Sequence, residues 1–261
     1  MSKGDLISEG ARSRVYRWGA TDVVKILDVG ISQEEAQREA EATRVAQSAG
    51  LPVPMVRDVI AIEGAWGLVF EYVVGQPLDE YAAENPGLMQ EMAMRMASLH
   101  QAVHKVKAPQ LRTVDEWLRT RIMGLELPED ALKDRALRTL DDLEDGDTLL
   151  HCDLHPNNLL VDDRGELYLI DWCNACAGHP WADVMRSYLI LHLAKTSLPR
   201  DMLWLPEGFK TFYIENYLDD DTDLLPRVMK WLLPVALARM SEGFVHEEAE
   251  LHKLLRGQED M

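Results

Sequence analysis

The sequence has few cysteines, no leader of the secretory type and no long apolar run. Its 261 residues include 3 Cys, and this odd number does not suit a disulfide framework. Proteins without disulfides are usual in a reducing compartment. The N-terminus lacks the charged segment and apolar stretch of a signal peptide. Apolar runs such as Tyr188–Leu191 are far too short to cross a bilayer. We therefore expect a cytoplasmic protein with no membrane partner.

Positive charge is also scarce. The chain has 27 Lys and Arg against 45 Asp and Glu, which gives a formal net charge of −18. Nucleic acids and anionic membranes bind clustered basic residues, so neither is expected as a partner. The field of such a chain attracts cations, although most of its acidic clusters are typical of solvated surface. A hydrophobic fraction of 47% with 7 Trp excludes a disordered chain and suffices for one large domain or two lobes.

The most informative segment is 151–158, which reads His-Cys-Asp-Leu-His-Pro-Asn-Asn. Two short apolar runs around the turn 162–165 follow it and predict a tight hairpin that ends at Asp171. Asp153 can accept a proton from a hydroxyl, while Asn158 and Asp171 offer oxygen ligands of the kind that Mg²⁺ prefers. Phosphoryl transfer needs this combination of positioning and charge neutralisation. Any one of these residues alone would suit an ordinary acidic loop, but the whole set is specific.

The segment 151–171 resembles the catalytic loop and metal-binding strand of aminoglycoside phosphotransferases and choline-kinase-like enzymes. These are small-molecule kinases with a protein-kinase-like fold. The resemblance implies an α+β, bilobal structure with a five-stranded antiparallel sheet and one long helix in the N-terminal lobe and a mainly helical C-terminal lobe. It also implies a nucleotide-binding lobe over residues 1–75, with a hinge at 70–75, and a catalytic and substrate-binding lobe over 76–261.

The N-terminal third fits this interpretation. Three short strands are predicted before residue 28, and Lys25 lies inside the third, where a lysine is costly without a partner. A helix should begin at the capping box Ser32–Glu35 and continue to about residue 48. By resemblance, Lys25 contacts the nucleotide phosphates and pairs with Glu39 of this helix. On an exposed strand edge, Lys25 would need no partner.

Other nucleotide contacts follow only from the resemblance. Gly10 and Ser13 occupy the place of a kinase phosphate loop, although Gly-x-Gly-x-x-Gly is absent and a plain hairpin describes them nearly as well. The Glu71 carbonyl and the Val73 amide should face the purine, which leaves ATP and GTP equally open. An ordinary strand exit is the alternative.

Three further residues are expected to support the catalytic loop. By resemblance, His151 supports the loop and the metal-binding acid, and Asp183 hydrogen-bonds the loop backbone from the start of the next helix. His155 replaces the lysine that protein kinases place here, and it either touches substrate or packs.

Two alternative metal sites are weaker. Cys173-x-x-Cys176-x-x-His179, with Cys152 and His151, has zinc-like spacing but lacks a second complete pair. His100 and His104 are four apart on a predicted helix, and with no third ligand in the sequence a structural role is favoured.

We therefore expect an ATP- or GTP-dependent and Mg²⁺-dependent kinase. Only residues 172–180 separate Asp171 from the next predicted helix, which leaves no room for the activation segment of a protein kinase. The expected acceptor is the hydroxyl of a small, in one interpretation cationic, molecule: an amino sugar or a choline- or homoserine-like metabolite. Cation-binding candidates are Glu215, Glu242 and Glu247. A non-catalytic nucleotide-binding regulator is the alternative, and the sequence gives no oligomeric state.

Overall fold

A computed structural model describes residues 3–126, 130–219, 221 and 223–256. The chain divides into two compact units. One comprises Met1–Leu78 and Asn157–Ala175, and the other comprises Asp79–Pro156 and Cys176–Met261. The strands are β1 Lys3–Glu9, β2 Ser13–Trp18, β3 Asp22–Leu27, β4 Val56–Ile62, β5 Ala65–Glu71, β6 Gly75–Pro77, β7 Thr148–Leu150, β8 Leu159–Asp162, β9 Leu167–Leu169 and β10 Cys176–Gly178. The helices are α1 Gln33–Ser48, α2 Leu78–Glu84, α3 Met89–Val103, α4 Val114–Met123, α5 Asp130–Asp141, α6 Pro180–Leu193, α7 Trp204–Tyr217, α8 Leu225–Met229, α9 Leu232–Met240 and α10 Glu248–Arg256.

The first unit is built on an antiparallel sheet with strand order β1-β2-β3-β5-β4. Helix α1 packs on this sheet through small residues, and Ala36 and Ala40 lie in one core cluster with Leu27, Val56 and Leu68. Alanines spaced four apart allow close helix–sheet contact because they occupy one helix face. The face that packs on the sheet therefore also carries the side chain of residue 39 inward.

A second, three-stranded sheet in this unit has the order β6-β8-β9. Strand β6 begins at Gly75, the last residue of the predicted hinge, and pairs with β8. A Cβ on Gly75 would lie 2.5 Å from the carbonyl oxygen of Val161, so only glycine allows this approach. The pairing fixes the hairpin β8–β9 to the strand that leaves the five-stranded sheet.

The second unit is mainly helical, and a small sheet in it pairs β7 with β10. Helix α6 is the most buried of its long helices, with polar side chains inside as well as apolar ones, namely Asp183, Arg186 and Ser187. Buried polar side chains need hydrogen-bond partners, and those of Asp183 and Arg186 belong to the site described below. Among the described residues, no helix has the length and apolarity needed to span a membrane.

The five-stranded antiparallel sheet, the single long helix packed on it and the helical second unit confirm the predicted α+β architecture. The capping box at Ser32 and Glu35 is also confirmed. The sequence predicted a strand after the turn at 145–147, where β7 lies, but it did not predict β6, β10 or the pairing of β7 with β10. The division at residue 75 stays a prediction, while the compact unit that holds the N-terminus also includes Asn157–Ala175.

Candidate active site

The first unit holds a buried lysine between two carboxylates. Strand β3 presents Lys25, which is 9% exposed, and its Nζ lies 2.8 Å from Oε1 of Glu39 and 2.8 Å from Oδ1 of Asp171. Burial lowers the pKa of Lys25, but the two carboxylates outweigh this effect and hold the pKa well above its usual value. Lys25 is therefore a fixed positive charge.

Helix α1 determines which glutamate reaches Lys25. Glu34 and Glu41 are exposed and Glu35 belongs to the capping box, whereas Glu39 is 2% exposed. A 3.6-residue helical repeat separates these faces. Of the four glutamates on α1, Glu39 is the one that the structure places on Lys25.

Asp171 and Asn158 lie at the same end of the hairpin β8–β9. Strands β8 and β9 pair Leu159 with Leu169, and the Ile170 amide donates to the Asn158 carbonyl at 3.0 Å. Asp171 has a φ of 63°, a left-handed conformation that costs a non-glycine residue about 1–2 kcal/mol. Such strain persists where the surroundings fix the residue, and it clusters at functional sites.

The charges and atoms at this end suit a magnesium ion. One lysine against two carboxylates (Lys25 against Glu39 and Asp171) gives +1 − 2, a net charge of −1. The Asp171 carboxylate and the Asn158 side-chain amide add oxygen donors, the ligand type that Mg²⁺ takes. The residues present therefore fit the ion, and Asn158 and Asp171 stay its predicted ligands.

The second unit carries the loop that contains Asp153. Helix α6 anchors this loop through Asp183, whose carboxylate accepts from the His151 amide at 2.6 Å and from the Cys152 amide at 2.9 Å. Cys152 has a φ of 58°, so it is a second strained residue beside a predicted functional residue. Asp153 itself is half-buried, with 18% of its side chain exposed.

Arg186 is a residue that sequence reasoning missed. It lies one turn after Asp183 on α6 and is 1% exposed. Its Nε donates to the Cys152 carbonyl at 3.1 Å, while its Nη2 lies 2.6 Å from Glu242 Oε1 and 3.4 Å from Asp153 Oδ1. The spacing Asp-x-x-Arg puts both side chains on one helix face, and this signal was present in the sequence.

Comparison with known proteins identifies the family. The sequence profile of the phosphotransferase enzyme family matches residues 3–218. The chain belongs to this phosphotransferase family. No curated protein sequence matches it. The predicted family and the predicted class, a small-molecule kinase, are thereby confirmed.

Several solved structures share the phosphotransferase fold over nearly the whole chain. An apo thermostable mutant of the aminoglycoside phosphotransferase APH(4)-Ia is 19% identical with a TM-score of 0.68, over 99% of this chain and 94% of that one. Choline kinase LicA from Streptococcus pneumoniae is 17% identical with a TM-score of 0.62, over 100% and 94%. A choline/ethanolamine kinase family protein from Mesorhizobium loti is 18% identical with a TM-score of 0.62, over 97% and 85%. At these identities the likeness shows the fold.

The remaining predicted nucleotide contacts of the phosphotransferase lie on loops of the first unit. The Gly10 amide donates to the Ser13 carbonyl at 2.9 Å and closes the turn between β1 and β2. A Cβ on Gly10 would meet Ser13 atoms no closer than 3.7 Å, so the turn itself does not require glycine. Glu71 ends β5 and is exposed, and Val73 follows in the link to β6. The roles predicted for these four residues stay predictions.

Arginines beside the predicted phosphate loop are engaged with acids. Arg12 lies 3.6 Å from Glu35, and Arg14 lies 2.8 Å from Glu9. These pairs are exposed, and exposed ion pairs are weak and readily exchanged. The arginines therefore do not form a preassembled phosphate site in this structure.

The supporting histidines are placed differently from each other. His151 is fully buried and half-buried His155 lies further along the same loop. Asp183 gathers two other histidines, since Nε2 of His100 lies 3.0 Å away and Nε2 of His104 lies 3.2 Å away. The sequence showed no third group for the pair His100 and His104, and the structure places Asp183 there.

Each of these two histidines also faces a tyrosine through Nδ1. His100 lies 2.8 Å from the Tyr213 hydroxyl and His104 lies 2.5 Å from the Tyr217 hydroxyl. Burial and the neighbouring His100 lower the pKa of His104 to about 4. A neutral His104 can donate to Asp183 and accept from Tyr217, so the hydrogen-bond network accounts for both ring nitrogens without a metal.

The zinc-like cysteine pattern does not form a ligand cluster in the described part of the chain. There, the side chains spaced for a shared metal are His100, His104 and Asp183. His179 instead caps α6, where Nδ1 accepts from the Trp181 amide at 3.3 Å and Nε2 lies 3.1 Å from Glu144. Burial raises the pKa of the Cys152 thiol well above its usual value, so this thiol stays protonated.

Proposed function

We propose that the protein transfers the γ-phosphoryl group of ATP or GTP to a hydroxyl of a small molecule in a magnesium-dependent reaction. The observation that carries this proposal is Lys25 held at 2.8 Å by both Glu39 and Asp171. A buried lysine fixed in this way presents its charge to phosphate oxygens with little conformational cost. Family membership provides the same reaction class.

The chain's own residues would divide the work as follows. Asp153 accepts the proton of the acceptor hydroxyl, whose oxygen forms a bond to the γ-phosphorus as the bond to the β-phosphate oxygen breaks and the nucleoside diphosphate leaves. Lys25 binds the phosphates, and Glu39 holds Lys25. Magnesium held by Asn158 and Asp171 would neutralise charge on the phosphate oxygens.

The acceptor is proposed to be small and hydroxylated. The segment between Asp171 and α6 contains only residues 172–179 and includes the short strand β10, so no peptide-docking segment follows the metal-binding acid. APH(4)-Ia is solved as ternary complexes with ADP or AMP-PNP and hygromycin B, and LicA is a choline kinase. Amino sugars and choline-like alcohols are therefore the first classes to test.

Two of the predicted cation-binding acids are already paired. Glu242 lies 2.6 Å from Arg186, and Glu247 lies 2.6 Å from Arg239. Glu215 is exposed on α7. A cationic acceptor would then be favoured by the overall negative charge of the protein more than by Glu242 or Glu247.

The test is Mg²⁺- and ATP-dependent release of ADP with hygromycin B, choline, ethanolamine, homoserine and neutral sugars. We expect at least one of these to stimulate release, and Asp153→Asn to abolish the stimulation while ATP affinity stays unchanged. Asp163→Asn, in the exposed turn of the hairpin β8–β9, is the control and should behave as the wild type. Stimulated release that survives Asp153→Asn would remove Asp153 from the reaction. ATP binding without stimulated release by any acceptor would favour the regulatory alternative.

A further inference from the structure

Arg186 is a buried cation whose contacts converge on the catalytic loop. Its side chain is 1% exposed and its guanidinium carbon lies 5.5 Å from the ring centroid of Trp117. Burial lowers the pKa of an arginine, but Glu242 and Asp153 outweigh this and raise the pKa of Arg186 above its usual value. An unpaired charge in such a place would be strongly destabilising. Arg186 can therefore be buried here only because Glu242 and Asp153 balance its charge.

Helix α6 holds the strained residue Cys152 from both sides. The Asp183 carboxylate accepts from its amide at 2.9 Å, and Arg186 Nε donates to its carbonyl at 3.1 Å. A left-handed residue without glycine persists only where several contacts determine it. Because Asp153 follows Cys152 directly, these two contacts also fix the position of the Asp153 backbone.

The same guanidinium also reaches the Asp153 side chain. Nη2 lies 3.4 Å from Asp153 Oδ1 but 2.6 Å from Glu242 Oε1. Glu242 therefore takes the strong, charge-assisted hydrogen bond, and Asp153 takes a looser contact through one oxygen.

Glu242 is itself held by residues near the C-terminus. Arg239 Nη1 lies 2.5 Å from Glu242, Arg239 Nη2 lies 2.6 Å from Glu247, and Arg121 Nη1 lies 3.6 Å from Glu242. This chain of ion pairs connects the segment after α9 to the Asp153 loop. Networks of this kind fix geometry better than isolated pairs do.

We propose that Arg186 is a positioning residue for phosphoryl transfer, with Glu242 as its counter-ion. From α6 it holds the Cys152 carbonyl and contacts Oδ1 of Asp153, and it thereby orients the Asp153 carboxylate for the acceptor hydroxyl. Its catalytic consequence rests on the proposed kinase function, whereas its hold on the loop does not.

The first experiment measures deuterium uptake of the loop peptide 148–156 in Arg186→Gln. Loss of the Cys152 carbonyl contact should raise uptake there. Arg119→Gln is the matched control, because Arg119 also makes two ion pairs, with Asp115 of α4 at 2.8 Å and with Asp141 of α5 at 2.7 Å, and neither partner belongs to the loop. Uptake at the wild-type level in Arg186→Gln overturns the proposal, whether or not an acceptor has been found.

The second experiment measures kcat and KM for ATP, using the compound from the acceptor panel that stimulates ADP release most. A base displaced by about 1 Å loses rate on the order of 100-fold, so we expect kcat to fall by that factor in Arg186→Gln. The KM for ATP should not change, since Lys25, Asn158 and Asp171 are untouched. Arg186→Lys keeps the charge but not the planar fork, and it should recover part of kcat. An unchanged kcat together with raised deuterium uptake in the loop would show that Arg186 does not position Asp153 for the reaction.

The double variant Arg186→Gln/Glu242→Gln guards against misfolding, because it removes the buried cation and its counter-ion together. We expect it to fold, to show raised loop uptake and to keep the low kcat. Wild-type kcat in this variant contradicts the proposal. Should the wild type release no ADP with any acceptor, the kinase function fails separately, and loop uptake alone then decides the role of Arg186.

Discussion

At the residue scale, Lys25 carries the clearest expectation for ligand binding. Its charge is fixed by Glu39 and Asp171, and a hydrogen bond to a charged group contributes about 1.5–3 kcal/mol. We expect Lys25→Met to weaken binding of ATP in the presence of Mg²⁺ on the order of 10- to 100-fold. Isothermal titration calorimetry measures this directly.

The control for Lys25→Met is Lys107→Met, which removes an exposed lysine paired with Asp147 at 2.5 Å. This variant should bind ATP as the wild type does. Because Lys25→Met leaves Glu39 buried without its cation, the double variant Lys25→Met/Glu39→Gln should fold better while it binds ATP equally weakly. Wild-type affinity in both Lys25 variants would show that Lys25 does not contact the nucleotide.

His104 makes a second prediction, for stability against pH. Its pKa is lowered from 6.5 to about 4 in the folded protein. Between these values the unfolded chain binds a proton here that the folded chain does not, so the free energy of unfolding falls as the pH falls from 6.5 to about 4. Above pH 6.5 this residue contributes no pH dependence. One proton corresponds to about 1.4 kcal/mol per pH unit.

Urea unfolding at several pH values measures this dependence. His104→Gln should reduce the loss of stability across that window by about 3 kcal/mol relative to the wild type. His246→Gln, at a residue with an exposed side chain, is the control for replacing a histidine by glutamine. Equal slopes in wild type and His104→Gln would show that His104 is protonated equally in both states.

At the residue scale, the sequence can indicate which residues lie together where a pattern is local. Asp153 and Asn158 share one short motif, and Lys25 and Glu39 fall at fixed places on neighbouring elements, so their proximity to the expected partners could be inferred. The partners of Arg186 could not be inferred from the sequence. Glu242 lies 56 positions away, and it meets Arg186 only because α6 packs against the segment after α9. A sequence spacing carries no information on such a contact until the helices are packed.

At the element scale, two helices begin with the same device and allow a matched test. Helix α1 begins with a capping box at Ser32 and Glu35, and α4 begins with one at Thr113 and Glu116. Removing the cap side chain costs about 1 kcal/mol in either helix. Only α1 carries Glu39 and thereby the position of Lys25.

We expect Ser32→Ala and Thr113→Ala to lower the free energy of unfolding by similar amounts, about 1 kcal/mol each. The affinity for ATP should fall in Ser32→Ala but not in Thr113→Ala, since fraying of α1 releases Glu39 from Lys25. Urea unfolding and calorimetry give both quantities. If the two variants lose equal affinity, then the effect comes from general destabilisation and not from α1.

Element prediction from sequence was reliable for long periodic segments. Strands β3 and β5 and helix α1 carry their own pattern of buried apolar residues, which reads correctly without knowledge of the partner, whereas β1 is exposed along its whole length. Strands β6, β7 and β10 contain three residues each, too few for a pattern. Their pairing partners define them, as the close approach of Gly75 to Val161 shows.

At the scale of the whole molecule, the order of residues along the chain did not indicate that the first compact unit is built from two separate segments. The segment Asn157–Ala175 belongs to the same compact unit as the N-terminal residues, so Asn158 and Asp171 share a unit with Lys25. A division at one position along the chain cannot express this arrangement. Long-range pairing of β6 with β8 produces it, and sequence periodicity does not report which distant strands pair.

The net charge of −18 makes the final prediction. A field of this sign attracts a cationic acceptor and repels magnesium–ATP, which is an anion. Salt shortens the range of both effects, from a Debye length of about 30 Å at 0.01 M to about 8 Å at 0.15 M. For a cationic acceptor such as choline, raising the ionic strength should therefore raise the acceptor KM and lower the KM for magnesium–ATP. Steady-state ADP release measures both in one titration.

A neutral acceptor should show no salt dependence in its own KM, while the salt dependence of the KM for magnesium–ATP remains. If both constants move in the same direction with a cationic acceptor, then salt acts on the enzyme itself, because a single field cannot shift opposite charges alike.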